Sequence, residues 1–122
     1  MENRRQRIVA VIESIDNVSI TEPFTEEYGS VTGTIEITVG DLIKSFKVQI
    51  APQYPHQFHD TETIRFVNQG MIEFDHVNRD GSICIHTQHS PDLEQKLRFD
   101  FSSLAAWIGK YVIDREKDAH YE

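Results

Sequence analysis

The chain has 122 residues, of which 39% are hydrophobic and 26% charged, and it carries a net charge of -8. That length suits one domain, residues 1–122, with a core that needs no covalent staples. The acidic balance argues against nucleic acid as a partner, because nonspecific affinity for phosphates comes from clustered cations. One cysteine, Cys84, excludes an internal disulfide, a four-thiolate zinc site and a CxxC redox pair. No apolar run approaches the roughly 20 residues that span a bilayer. The start, Met1-Glu2-Asn3-Arg4-Arg5, has no stretch of signal-peptide type. The expectation is a small acidic cytoplasmic domain with no membrane partner.

In chain order, Ile8, Val11, Ile12 and Ile15 fall on one helical face, which predicts a helix over about residues 3–15. Asp16-Asn17 ends it. Arg4, Arg5 and Arg7 crowd its first turns, where positive charge opposes the helix dipole. They are either a solvated face or a docking surface for an acidic partner.

A short strand is expected around Val18-Ser19-Ile20. Val31, Gly33, Ile35, Ile37 and Val39 alternate with polar residues, the pattern of a half-buried strand. Gly40-Asp41 reads as a turn, and Leu42 to Ile50 as the next strand. Links this short predict an antiparallel meander. Pro52 and Pro55 then hold an extended segment, Ala51-Pro52-Gln53-Tyr54-Pro55, with Tyr54 and Pro55 as packing elements. Thr63 to Val67 resumes strand character. Residues 68–83 read as a loop carrying Asn78-Arg79-Asp80-Gly81. A second helix follows Ser90-Pro91. Asp100 is expected to cap it, and Phe101, Leu104, Ala105, Ile108 and Val112 form its stripe. Trp107 lies off that stripe and needs a further packing partner. The charged tail from Asp114 is expected to fray. The fold class is α+β, with helices against one sheet.

Cys84 sits in Ser82-Ile83-Cys84-Ile85-His86. Between two isoleucines a cysteine is commonly an inert small hydrophobe. As a thiolate it would be a nucleophile, and a free thiol needs only modest help near neutral pH. With His76, His86 and His89 it could also form a zinc site, but the spacing matches no common zinc pattern. A Cys-His hydrolase needs an acid to orient the histidine, and none is evident.

Taken in order, Tyr54-Pro55, the strand Ile64-Arg65-Phe66-Val67, His76, Asp80-Gly81-Ser82-Ile83-Cys84-Ile85, Ser90-Pro91 and the late helix resemble the ubiquitin-conjugating enzyme family. The likeness covers nearly the whole chain, and it is closest to the compact, divergent bacterial branch. Val77 stands where the family has proline after its histidine, and the stretch from His76 to Cys84 is shorter than in eukaryotic members. The tryptophan before the late proline is replaced by His89.

The resemblance implies an N-terminal helix, a four-stranded antiparallel meander, an active-site loop and a C-terminal helix. It implies a transferase in which Cys84 accepts a modifier as a thioester and passes it to a target lysine. The donor would be a ThiF-like activating enzyme. The conjugated group would be a ubiquitin-like protein or, as in some antiphage operons, the C-terminus of a nucleotidyltransferase. Neither a cofactor nor a metal is implied. Asn78 matches the family's oxyanion donor, His76 its loop-fixing histidine, and His86 could donate or act as base. Asp92 is a minor candidate for orienting the lysine. Arg4, Arg5 and Arg7 match a helix that docks on the activating enzyme. The alternative is a catalytically inactive member of the fold that acts as a protein-binding module. Cys84 at the motif position favours catalysis, and the altered histidine loop favours the module.

Overall fold

The computed structural model describes residues 3–56, 63–68, 81–83 and 89–113. It is α+β: helix α1 (Arg4–Glu13), strands β1 (Val18–Glu27), β2 (Ser30–Val39), β3 (Leu42–Ile50) and β4 (Ile64–Val67), then helix α2 (Leu93–Ile108). A π-helical turn, Gly109–Ile113, continues α2. The tail from Asp114 lies outside the described residues.

Asn3 starts α1. Its side chain accepts from the Gln6 amide at 2.8 Å, and the Gln6 side chain accepts from the Asn3 amide at 3.0 Å. Two orphan donors of the first turn are thereby satisfied. Ile8 and Ile12 are fully buried, and Val11 and Ile15 pack at the margin of the core.

The four strands form one antiparallel sheet in the order β1-β2-β3-β4. Val31, Ile35 and Ile37 of β2 face Phe46, Val48 and Ile50 of β3 on the buried side. Glu36, Thr38, Ile43, Ser45 and Lys47 are exposed on the other. α1 packs on β1, α2 packs on β2, and the two helices pack on each other. Their apolar stripes and the inner sheet face make one core. Each large apolar side chain enclosed there contributes roughly 1.5–3 kcal/mol.

β1 is longer than its sequence suggests. Its register shifts between Ile20 and Glu22 and again between Glu22 and Thr25, so only Val18 and Phe24 are buried. The shifts erase the two-residue alternation that betrays a strand. Pro23 is tolerated because β1 is outermost. The hairpin to β2 turns on Tyr28 and Gly29, with φ of 53° and 82°. Two positive φ values are what a tight two-residue hairpin needs. Gly33 on β2 lies under the Phe24 ring, where a Cβ would sit 2.5 Å from ring carbons.

The second helix corrects the expectation for Asp100. α2 begins at Leu93, and its cap is Asp92, whose carboxylate accepts from the Gln95 amide at 3.0 Å. Asp100 lies within the helix and is buried. Leu93 and Leu97 extend the apolar stripe toward the N-terminus, and Lys96 and Asp100 interrupt its pattern in the sequence. Ser90 supports the start: its hydroxyl donates to the Gln95 side chain at 2.7 Å and accepts from the Asp92 amide at 3.1 Å. Trp107 is buried, and its further partner is Tyr111, with ring centroids 5.7 Å apart.

Candidate functional site

Cys84, His86, Asn78 and His76 lie outside the described residues, as do Val77 and Asp80. The three residues before Cys84 are described, and hydrogen bonds hold them to the sheet. Gly81, Ser82 and Ile83 run antiparallel beside β4. The Gly81 carbonyl accepts from the Asn68 amide at 2.9 Å, and the Ile83 amide donates to the Phe66 carbonyl at 3.0 Å. The Ser82 hydroxyl accepts from Arg65 Nη2 at 3.1 Å. Gly81 has a φ of 85°, which only glycine adopts cheaply. Ser82 and Ile83 are buried. Gly81, Ser82 and Ile83 are therefore fixed at the sheet margin.

His89, Ser90 and Pro91 follow on the far side of Cys84. With Pro55 and His56 they line a cavity of about 260 Å³. His56 and His89 are both exposed. The Tyr54–His56 wall is braced in three ways. The Thr63 hydroxyl donates to the His56 carbonyl at 2.6 Å. Tyr54 is buried in the core. Its hydroxyl donates to Asp100 Oδ2 at 2.5 Å.

Asp100 also pairs with Lys96, Nζ to Oδ1 at 2.7 Å, and each side chain is 1% exposed. Lys96 Nζ stands 5.8 Å from the Tyr54 ring centroid. The sequence reading placed Tyr54 correctly as a packing residue but missed its charged partners. A Lys-x₃-Asp spacing on a helix was the available signal, since residues four apart meet on one face.

The three arginines are placed differently. Arg4 turns inward: Nη1 donates to the Gly29 carbonyl at 2.9 Å, and Nη2 donates to Ala51 at 2.7 Å and to Tyr54 at 3.3 Å. Burial pulls its guanidinium below the ordinary arginine value, against Glu26 and Tyr54, which push it up. Arg5 is half-buried and Arg7 exposed. Arg7 lines a groove between α1 and α2 with Ala10, Ser14, Glu94 and Arg98. There Arg98 donates to Ser14 Oγ at 2.9 Å and to Glu94 Oε1 at 3.2 Å. Of the three, Arg7 is at the surface, while Arg4 is engaged by the fold itself. Asp92, the minor candidate for orienting a lysine, serves as the cap of α2.

Among the described residues no group of three or more His, Cys, Asp or Glu side chains could hold a metal ion. Also among them, no helix is long and apolar enough to cross a membrane. No protein-family model matches the chain, and neither curated proteins nor solved structures yield a significant match.

Proposed function

We propose that the chain is a cysteine-dependent conjugating enzyme of ubiquitin-conjugating type, acting in the cytoplasm without a cofactor. The Cys84 thiolate attacks the thioester that joins a modifier's C-terminal carbonyl to a ThiF-like activating enzyme. The activating enzyme's sulfur leaves as thiolate, and Cys84 now holds the acyl group. A target lysine amine then attacks the same carbonyl, loses a proton, and expels Cys84 as thiolate. In this reading His86, two residues on in the sequence, takes that proton or donates to the carbonyl oxygen, Asn78 is the donor to the tetrahedral oxyanion, and His76 fixes their loop. The modifier is a ubiquitin-like protein or a nucleotidyltransferase C-terminus, as in bacterial antiphage operons.

One observation carries this reading: Gly81-Ser82-Ile83 is docked on β4 directly ahead of the chain's one cysteine. A nucleophile gains from such a fixed approach. The order of helix, four-stranded meander, proline-bearing segment and helix supports the same fold. Incubation with the activating enzyme, ATP and modifier tests the proposal. A thiol-labile adduct should appear on wild type and vanish in Cys84→Ala. An adduct that survives Cys84→Ala defeats the thioester mechanism. Tight binding of the modifier with no adduct assigns the chain to the inactive binding modules instead.

A further inference from the structure

We propose that the outer face of the sheet carries a binding site for a single carboxylate group, a function separate from the transfer reading. A cavity of about 280 Å³ opens there, lined by Ser30, Thr32, Gln49, Ala51, Thr63 and Arg65. The strand register builds it. Thr32 of β2 pairs with Gln49 of β3, and Gln49 pairs with Arg65 of β4. Paired residues share a face, and neighbouring strands lie about 4.8 Å apart. The alternate residues Val31, Val48, Ile50, Ile64 and Phe66 are buried on the core side, so the row of Thr32, Gln49 and Arg65 stands on the opposite one. Ser30, two residues before Thr32, points the same way.

Ser30, Thr32 and Gln49 are half-buried, and among the described residues none of their side chains hydrogen-bonds to the protein. Their two hydroxyls and one carboxamide are donors left for water or a ligand. Thr63 differs, since its hydroxyl is committed to the His56 carbonyl. Arg65 supplies the charge. Its Nη2 donates to Ser82 Oγ at 3.1 Å, which anchors one corner of a guanidinium that has five N–H donors. A planar fork of this kind matches a carboxylate. The surroundings limit the ligand's charge. Glu27 pairs with Ser30 across the hairpin and is exposed, and the chain carries a net charge of -8. A second negative charge on the ligand is repelled there, so a monocarboxylate fits and a phosphate dianion does not. The volume lies near the lower end of ligand pockets, roughly 300 Å³. That suits a small organic acid or the C-terminus of a peptide, which share the carboxylate.

The test is an NMR titration of the full chain at constant ionic strength. The probes are propionate, acetyl-dialanine with a free C-terminus, its carboxamide, and inorganic phosphate. The amide signals of Thr32, Gln49 and Arg65 should shift and saturate with a dissociation constant of about 1 mM or below. Ser82 should shift with them, because Arg65 holds its hydroxyl. Arg65→Gln should weaken binding at least about 10-fold. Thr32→Val, which leaves the bond to Ser82 in place, should weaken it by about 3- to 10-fold. Lys47→Gln removes a cation from the same face outside the cavity and should change binding by less than about 2-fold. Saturation by the peptide acid and not by propionate assigns the site to a peptide end, and comparable saturation by both assigns it to small acids. Shifts that never saturate, an equal loss in Lys47→Gln and Arg65→Gln, equal binding of the carboxamide, or tighter binding of phosphate overturns the site.

Discussion

The guanidinium of Arg4 and the carbonyl of Ala51, 47 residues apart in the chain, meet at 2.7 Å. With Gly29 and Tyr54 also bound, one side chain closes the end of α1 onto the β1–β2 turn and onto the segment after β3. Arg4→Met should cost about 1.5–3 kcal/mol, the range for hydrogen bonds to a charged group. Arg4→Lys should recover only part, because an ammonium lacks the planar fork that spans three carbonyls. Urea unfolding measures both. The pH dependence follows from the direction of the shift. Burial lowers the folded-state value, but an arginine stays charged throughout the neutral range and would lose its proton only at far higher pH. The difference between wild type and Arg4→Met should therefore be flat from about pH 6 to 9. A difference that changes over that range contradicts a permanently charged clamp.

Gly33 should resist the smallest substitution. A Cβ there would meet the Phe24 ring at 2.5 Å, in a strand with fixed partners on both sides. Gly33→Ala should destabilise by about 1–3 kcal/mol through overpacking. The cost should shrink in a Phe24→Leu background, and a double-mutant cycle reads the coupling. Strict additivity would mean that the two residues do not touch.

Tyr28 predicts a gain. It is 95% exposed and holds a φ of 53°, so its ring contributes little to the core while its backbone is strained. Asparagine tolerates this conformation and suits the first position of such a turn. Tyr28→Asn should raise stability by up to about 1 kcal/mol, and Tyr28→Val should lower it. Thermal melts of the two variants decide, and a loss of stability in Tyr28→Asn contradicts the strain.

The meander from Val31 to Ile50 was legible in the sequence because alternation there is broken only at Ile43 and Lys44, and its register follows from a two-residue link at Gly40-Asp41. β1 was legible only at Val18–Ile20, since each register shift moves the next side chain to the other face. The start of α2 was hidden for another reason. Charged residues are expected outside, so Lys96 and Asp100 masked the apolar face of the first turns, and Asp100 read as the cap. Asp92, with Leu93 directly behind it and Gln95 three residues on, carried the cap signal. At the candidate site, the motif around Cys84 was visible because it is local in sequence. The bracing from Tyr54 to Asp100 was not, because it joins distant positions through a hydroxyl that composition does not reveal.

The same shifts that obscured β1 govern how one molecule meets another. An outermost strand with regular pairing offers a template on which a neighbouring chain can add its own strand. Here Pro23 removes a donor midway, and two bulges break the run of evenly spaced amides and carbonyls. Glu22, Glu26 and Glu27 are exposed along the same strand and repel an identical copy. These features disfavour the addition of a second chain's strand along this rim of the sheet.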